Sequence, residues 1–239
     1  MKDPASPIYG CDAFWNTFWN LNQLWALATP DIMNKWVESL LEYYRVGGWL
    51  PNGPPGVEYC DIMGAQHEIP LMVSAYQKGI RNYDVDKAYE AVKKTLTTQG
   101  TALSSGGIVG NRHLDVYLKY GFVPYGEKSH HNVFGTTYEG PTSNTLEYAF
   151  DDWNAAQFAK ALGYEEDYDY FTRRAYNYKN VFDSETKYVR PKYSDGTWMP
   201  DFEPINKDEH STSWSWLGSG FVEGNSWQYT WMVPHDMNE

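Results

Sequence analysis

The sequence predicts an all-α fold, a toroid of paired helices of the (α/α)6 type. Apolar residues recur at three- and four-residue spacing along most of the chain, which is the period of a helix with one buried face. No long segment alternates with a period of two, so little sheet is expected, and Gly and Pro divide the helices into consecutive pairs. No linker-like stretch interrupts the 239 residues, so residues 1–239 are predicted to form one domain.

The helical pattern divides into seven or eight segments. The expected bounds are 12–28, 30–47, 66–78, 85–98, 114–120, 144–162 and 165–182, with a last helix beginning near Asn225. Pro30 suits the first position of a helix, and Asn144-Thr-Leu-Glu147 has the form of a capping box. Residues 48–64 and 183–204 are rich in turn residues and are predicted loops. Six helical pairs require twelve helices, so an incomplete toroid, and hence a piece of a larger domain, is expected.

The composition favours some partners and opposes others. Eleven Trp, 20 Tyr and 10 Phe, many beside Gly, Asn or Asp, fit either a sugar-binding surface or a large aromatic core. The net charge of −12 opposes binding to phosphate backbones, so no nucleic-acid partner is expected. No apolar run approaches the roughly 20 residues of a membrane span, and the first residues contain no apolar signal-peptide core. A chain without a membrane span is therefore predicted.

Cysteine and histidine usage predicts no metal site. Cys11 and Cys60 are the two cysteines, which excludes a four-cysteine zinc site; they could pair, but free thiols are favoured. His67 opens a helix and could orient a ligand, whereas His130 and His131 have no partner at metal-site spacing. The sequence contains no G-x-S-x-G elbow, phosphate-binding Walker loop or dinucleotide fingerprint, so serine-hydrolase and nucleotide-binding functions are not expected.

An acid, Glu223, lies at a predicted loop-to-helix junction and is followed by Gly224, Trp227 and Gln228. A carboxyl group beside Trp surface loses solvation, which raises its pKa and lets it hold a proton for general-acid catalysis. Alternatively, the residue lies there because a helix N-terminus stabilises an anion. The chemistry of the segment alone does not decide between the two interpretations.

Three further acids fall on one predicted helix. Glu147 and Asp151 are four residues apart and share a helix face, whereas Asp152 lies about a hundred degrees round the axis. They could bind sugar hydroxyls, hold a cation, or form a solvated face opposite the apolar stripe of the helix. Trp153 is assigned to the core.

Three segments together resemble glycoside hydrolase family 92. They are Tyr9-Gly-Cys-Asp-Ala-Phe-Trp-Asn-Thr-Phe18, Ser143-Asn-Thr-Leu-Glu-Tyr-Ala-Phe-Asp-Asp-Trp153 and Val222-Glu-Gly-Asn-Ser-Trp-Gln-Tyr229, in the order and spacing of the family. The stretches 177–183 and 188–192 are also similar to the family, so the resemblance covers essentially the whole chain. It implies a secreted or periplasmic, calcium-dependent exo-α-mannosidase that inverts the anomeric centre and acts on a mannose-containing glycan.

The resemblance assigns the site residue by residue. The Glu of the E-G-N motif is the general acid, which is Glu223 here, and an aromatic-acid pair that binds the terminal mannose corresponds to Trp15-Asn16. Because Asn16 replaces the acid, Asp12, one turn earlier in the predicted helix, is a candidate to supply it. An inverting enzyme also needs a base about 6.5–9.5 Å from the acid, but no G-N-D-D type motif occurs before the chain ends at Glu239.

The sequence therefore predicts part of the catalytic toroid, without the N-terminal β-sandwich and the C-terminal end of the toroid that the family has. The base and the Ca²⁺ ligands are expected outside the chain, and the isolated chain is expected to be inactive. Glu223 is the predicted catalytic acid, and the predicted substrate contacts are Asp12, Trp15, Asn16, Glu147, Asp151, Asp152, Trp227 and Gln228. A non-catalytic glycan-binding module, another inverting glycosidase and a polysaccharide lyase are the alternatives, although the negative charge opposes an anionic substrate.

Overall fold

The computed structural model describes residues 8–55, 59, 64–103, 108–127, 140–205 and 220–237, and these are mostly helical. The helices are α1 (Leu21–Ala28), α2 (Pro30–Gly47), α3 (Glu68–Gln77), α4 (Val85–Thr97), α5 (Leu114–Tyr120), α6 (Pro141–Leu162), α7 (Glu165–Ala175) and α8 (Ser226–Tyr229). Two short antiparallel pairs join β1 (Thr101–Ala102) to β2 (Ile108–Val109) and β3 (Phe182–Asp183) to β4 (Tyr188–Val189). Short 3-10 helices span Thr17–Trp19 and Asn177–Val181.

The ends of several helices agree with their sequence signals. Pro30 occupies the first turn of α2, as predicted. Gly48, Gly121 and Gly163 follow α2, α5 and α6 with φ of 79°, 73° and 82°, the left-handed conformation that glycine adopts without steric cost. The segments predicted at 66–78, 85–98 and 114–120 are confirmed as α3, α4 and α5 to within two residues.

The first predicted helix begins later than its pattern indicates. Residues before Thr17 are not helical, because Cys11 N–H and Phe14 N–H donate to the carbonyl oxygens of Pro54 and Asn52 at 3.0 and 3.2 Å instead of within a helix. Asn16 has a left-handed φ of 70° at the start of the 3-10 turn. The expectation that Asp12 lies one helical turn before Asn16 is therefore wrong.

The capping box predicted at Asn144 is also wrong. Helix α6 begins three residues earlier, at Pro141, and Glu147 points into the protein instead of back to the helix terminus. A capping box is present at the start of α8, where Asn225 accepts from Gln228 N–H and the Gln228 side chain accepts from Asn225 N–H, each at 3.1 Å. Both segments contain the required residue types, and only the chain direction before each helix distinguishes them.

Helix α6 is buried on nearly all sides. It packs against α3, α4 and α7, and its acids Glu147, Asp151 and Asp152 are at most 2% exposed. Of the three alternatives for these acids, the solvated face opposite the apolar stripe is therefore wrong. The amphipathic spacing suggested a polar face exposed to solvent, but the polar residues of α6 face partners on neighbouring helices and not water. Helix α7 ends at Ala175, where the chain turns into the 3-10 helix and then β3, instead of continuing to Phe182.

The two largest apolar clusters among the described residues both include residues of α6. The larger is built from α2, α3, α4, α6 and α7 and includes the fully buried Met33, Leu40, Ile69, Leu96 and Phe158. The smaller joins α6 to the 3-10 helix at 177–181, to β4 and to the segment around Phe221 and Tyr229. This second cluster brings the chain near Glu223 against α6, so the core itself positions the predicted catalytic loop.

Candidate active site

The segment that carries Glu223 is anchored to the first turn of α6. The Gly220 carbonyl oxygen accepts from Thr142 N–H at 3.0 Å and from Ser143 N–H at 3.3 Å, so it satisfies donors that the helix leaves unpaired. Val222 N–H donates to the Ser143 hydroxyl at 3.0 Å. A Cβ on Gly140 would lie 2.5 Å from the nitrogen of Val222, so the close approach of the loop requires glycine there.

Glu223 has an unusual backbone conformation. Its φ is 47°, a left-handed value that costs a non-glycine residue energy and that often occurs at functional sites. On the C-terminal side a Cβ on Gly224 would lie 2.9 Å from the Tyr229 ring, whose hydroxyl donates to the Val222 carbonyl oxygen at 2.8 Å. The Glu223 side chain is exposed, so the expected loss of solvation beside Trp227 is not seen in this structure. Its neighbours fix its backbone and leave its carboxylate free to meet a ligand.

Trp15, Glu147 and His67 form a buried hydrogen-bonded group. The Trp15 indole N–H donates to Glu147 Oε1 at 3.0 Å, and His67 Nε2 lies 2.7 Å from Glu147 Oε2. Burial favours the neutral imidazole, but the charge of Glu147 and its hydrogen bond outweigh burial, so the pKa of His67 is raised. His67 and Glu147 are 80 residues apart in sequence, so no local pattern connects them.

Tyr229 links this group to the Glu223 loop. Burial raises the pKa of Tyr229 well above its ordinary value, and the charges of both Glu147 and Glu223 raise it further. The Tyr229 hydroxyl donates to the Val222 carbonyl oxygen, and Val222 N–H donates to Ser143, one turn of α6 before Glu147. Three segments predicted separately, around Trp15, Glu147 and Glu223, thus meet at one region of the fold. Sequence analysis had not selected Tyr229, although it closes the Val222–Tyr229 motif.

Asp151 is fully buried beside the group. Its Oδ2 accepts from Gln66 N–H at 2.8 Å, while burial raises its pKa to about 7 against the attraction of His67. The negative charges of Glu147 and Asp152 raise it further. A buried carboxyl with this pKa retains its proton at pH values between about 4 and 7, where an exposed aspartate has lost it.

Asp151 should therefore make stability depend on pH. Between about pH 4 and pH 7 the unfolded chain has lost this proton and the folded chain retains it, so stability decreases as pH rises through that range. For three pKa units the loss approaches ~4 kcal/mol. We expect Asp151→Asn, which keeps an acceptor for Gln66, to become progressively more stable relative to wild type from pH 4 to pH 8. Urea unfolding of both proteins across this range measures it, and parallel curves would contradict the prediction.

Asp152 points to a different partner. Its carboxylate receives the Arg174 guanidinium in a two-point contact, at 3.0 Å from Nε and 2.7 Å from Nη2, and the Tyr117 hydroxyl at 2.9 Å. Burial raises the pKa of Asp152 to about 6, and the charge of Arg174 opposes the rise. These contacts occupy both oxygens, so the geometry gives Asp152 a structural role. The sequence contained no signal for Arg174 as its partner, since the pair joins α6 to α7.

The other predicted contacts lie at the surface or beside the group. Asp12 is exposed and accepts from its neighbour Ala13 N–H at 3.0 Å. Asn16 Oδ1 accepts from the Trp19 indole N–H at 3.1 Å. Trp227 is 51% exposed. The Gln228 side-chain oxygen serves the capping box. Substrate binding by these four side chains stays a prediction.

The described residues do not present a calcium site. Among them, no group of three His, Cys, Asp or Glu side chains could hold a metal ion. The buried acids of α6 are engaged instead by Trp15, His67, Gln66 and Arg174. The calcium dependence, whose ligands are expected outside this chain, stays a prediction. Cys11 is half-buried, whereas Cys60, His130 and His131 lie outside the described residues, so the pairing of the cysteines stays a prediction.

Comparison with known proteins decides the family. A model of the glycosyl hydrolase family 92 catalytic domain matches residues 1–239. The chain belongs to glycosyl hydrolase family 92. Among curated proteins, an uncharacterized secreted glycosidase of Arthroderma benhamiae is 26% identical over 256 residues, covering 95% of this chain and 32% of the relative.

Solved family 92 structures have the same fold. An inverting mannosidase from Bacteroides thetaiotaomicron is 28% identical, with a TM-score of 0.77 over 92% of this chain and 27% of its own. An α-mannosidase from the same organism, in complex with mannoimidazole, is 30% identical, with a TM-score of 0.78 over 95% and 27%. Family 92 structures have a helical (α/α)6 barrel, so the predicted fold class is confirmed. The chain spans about a third or less of the length of these relatives.

Proposed function

We propose that the protein containing this chain hydrolyses terminal α-linked mannose from glycans with inversion of configuration, and that Glu223 is its general acid. The observation that carries the proposal is that α6 brings together the Glu223 loop, bonded at Ser143, and the Trp15–Glu147 pair one helical turn further along. Membership of family 92 supports glycoside hydrolysis. The mannosidase relatives, one with mannoimidazole bound, support mannose as the sugar.

Two contacts of the neighbouring residue support Glu223 as the proton donor. Val222 N–H donates to the Ser143 hydroxyl and the Val222 carbonyl oxygen accepts from the Tyr229 hydroxyl, so the backbone before Glu223 is held against α6. The side chain is exposed and can therefore approach the glycosidic oxygen of a bound glycan. In the proposed step the carboxyl O–H bond breaks, the proton passes to that oxygen, and the C–O bond to the mannose anomeric carbon cleaves. Water attacks that carbon from the opposite face and gives a proton to a general base, which is expected outside this chain.

Trp15 and Trp227 are the proposed sugar-facing aromatic residues. Trp15 is half-buried with its indole N–H held by Glu147, and Trp227 exposes half of its surface on the short helix that follows Glu223. Aromatic faces of this kind pack on the C–H groups of a pyranose. Asp12, Asn16 and Gln228 are proposed to supply hydroxyl contacts. Glu147, Asp151 and Asp152 are not proposed as direct contacts, because all three are buried and bonded to protein partners.

An assay of the full gene product tests the proposal. A synthetic α-mannoside should release β-mannose first, because inversion changes the anomeric configuration, and proton NMR of the fresh product distinguishes the two anomers. We also propose that a calcium chelator abolishes this release and that added Ca²⁺ restores it. Initial formation of α-mannose would overturn inversion, activity unchanged by the chelator would overturn the calcium requirement, and no mannose release would overturn the substrate.

We also propose an extracellular or periplasmic location. The curated Arthroderma relative is described as secreted. Within the described ranges, no helix has both the length and the apolar character needed to cross a membrane. Fractionation of cells expressing the full gene product, with activity followed in each fraction, tests the location.

A further inference from the structure

A chain of polar contacts, two hydrogen bonds joined by the close His67–Glu147 ion pair, runs from Trp15 to the backbone of Asn16. Trp15 Nε1–H donates to Glu147 Oε1 at 3.0 Å, and Glu147 Oε2 lies 2.7 Å from His67 Nε2. The other ring nitrogen of His67, Nδ1, accepts from Asn16 N–H at 3.4 Å. The chain therefore begins and ends on adjacent residues, the same two that are proposed to meet the terminal mannose.

Glu147 is a link in this chain and not a sugar contact. Both of its oxygens have protein partners, and the residue is 2% exposed. His67 is 1% exposed, and its ring packs edge-on against Phe18 at 5.0 Å between centroids, with an interplanar angle of 83°. Phe18 belongs to the 3-10 turn that follows Trp15 and Asn16. His67 thus contacts the chain's first helical turn through its ring, which packs against Phe18, and through Nδ1, which accepts from Asn16 N–H.

We propose that His67 is a positioning residue for the terminal-mannose subsite. Through Glu147 it fixes the indole plane of Trp15, and through Nδ1 it holds the left-handed backbone of Asn16, whose φ is 70°. The inference rests on the proposed function, because that function gives Trp15 and Asn16 their role. His67 itself touches no sugar, but it sets the geometry of Trp15 and Asn16, which are proposed to do so.

The Asn16 N–H needs Nδ1 as an acceptor and so favours the neutral imidazole with its proton on Nε2, whereas the charge of Glu147 favours the protonated ring. Nε2–H can donate to Glu147 while Nδ1 accepts from Asn16. Glutamine places an amide donor where Nε2 lies and so retains the contact with Glu147. Phenylalanine retains the ring packing on Phe18 and loses both hydrogen bonds. The two substitutions therefore separate hydrogen bonding from packing.

The experiment compares wild type, His67→Phe, His67→Gln and a control, His235→Gln, all in the full gene product. His235 is a second histidine that is largely shielded from solvent, with Nε2 2.9 Å from the Ala175 carbonyl oxygen, and it has no contact with Trp15 or Asn16 among the bonds described above. The dissociation constant of mannoimidazole is measured by calorimetry, kcat and KM are measured with an α-mannoside, and crystal structures give the distance from Trp15 Nε1 to Glu147.

His67→Phe is expected to weaken mannoimidazole binding by about tenfold to a hundredfold, the effect of misplacing a binding group by about an ångström. Its Trp15–Glu147 distance should exceed hydrogen-bonding range. His67→Gln keeps the contact with Glu147 and should keep that distance, with a smaller loss of affinity because the acceptor for Asn16 N–H is lost. His235→Gln should keep both the distance and the affinity near wild type. In the kinetics of His67→Phe, KM should rise.

Unchanged mannoimidazole affinity in His67→Phe would overturn the inference, and so would equal losses in His67→Phe, His67→Gln and His235→Gln, because these would reflect general destabilisation. The failure of the proposed function has a different signature. In that case wild type itself neither binds mannoimidazole nor releases mannose, and the inference is overturned together with it.

Discussion

Replacing Glu223 by Gln in the full gene product is expected to lower kcat by about 10²- to 10⁴-fold on glycans with a sugar leaving group. Glutamine has nearly the same shape, so the loop held by Ser143 and Tyr229 should stay in place. Its amide cannot donate the proton that the departing oxygen needs. The loss should shrink markedly with a nitrophenyl mannoside, because that leaving group departs without protonation. Initial rates on the two substrates measure the difference.

The control for this substitution is Glu185→Gln, which removes an exposed carboxylate outside the Glu223 loop. It should leave both rates unchanged. Equal losses on both substrates in Glu223→Gln would contradict the role as general acid and indicate a binding contribution. If the wild-type protein releases no mannose and Glu223→Gln keeps its full affinity for the glycan, the non-catalytic glycan-binding module would be favoured.

Replacing Arg174 by Met is expected to destabilise the fold by about 3–5 kcal/mol, the usual consequence of leaving one partner of a buried ion pair without its counter-charge. Asp152 is 0% exposed and receives two contacts from Arg174, so no water replaces the guanidinium. The variant can relieve the charge by protonating Asp152. The loss should therefore be smaller at pH 5 than at pH 8. Urea unfolding at both pH values measures it.

Two comparisons test the physical cause of this loss. The double variant Asp152→Leu with Arg174→Met removes both charges and should recover part of the stability, since the Tyr117 hydroxyl retains the Arg174 carbonyl oxygen at 3.2 Å as an acceptor. Lys93→Met breaks the Lys93–Asp167 pair, in which the lysine side chain is 47% exposed, and should cost less than ~1 kcal/mol. A double variant as unstable as Arg174→Met would refute the uncompensated-charge explanation.

Local signals predicted the helices well where the decisive interactions are local. Pro30 fixes the start of α2, and Gly163 ends α6, because their backbone preferences act within one turn. The same reasoning failed at Asn144 and Asp12. Both segments contain suitable residue types, but contacts with residues far along the chain decided where each helix begins. For α6 the contact is with the Gly220 carbonyl oxygen, and for the first segment it is with residues 52–54.

The sequence by itself determined the all-α class, the separation of the helices and, through its resemblance to the family, the identity of Glu223 as the proposed acid. These depend on residue type and short spacing, which a sequence displays directly. Only the tertiary structure decided that Glu147 is bonded to Trp15 and His67, that Asp152 is paired with Arg174, and that the Tyr229 hydroxyl donates to the Val222 carbonyl oxygen beside Glu223. The Trp15–Glu147 bond spans 132 residues, and burial determines which polar groups must find each other across such distances.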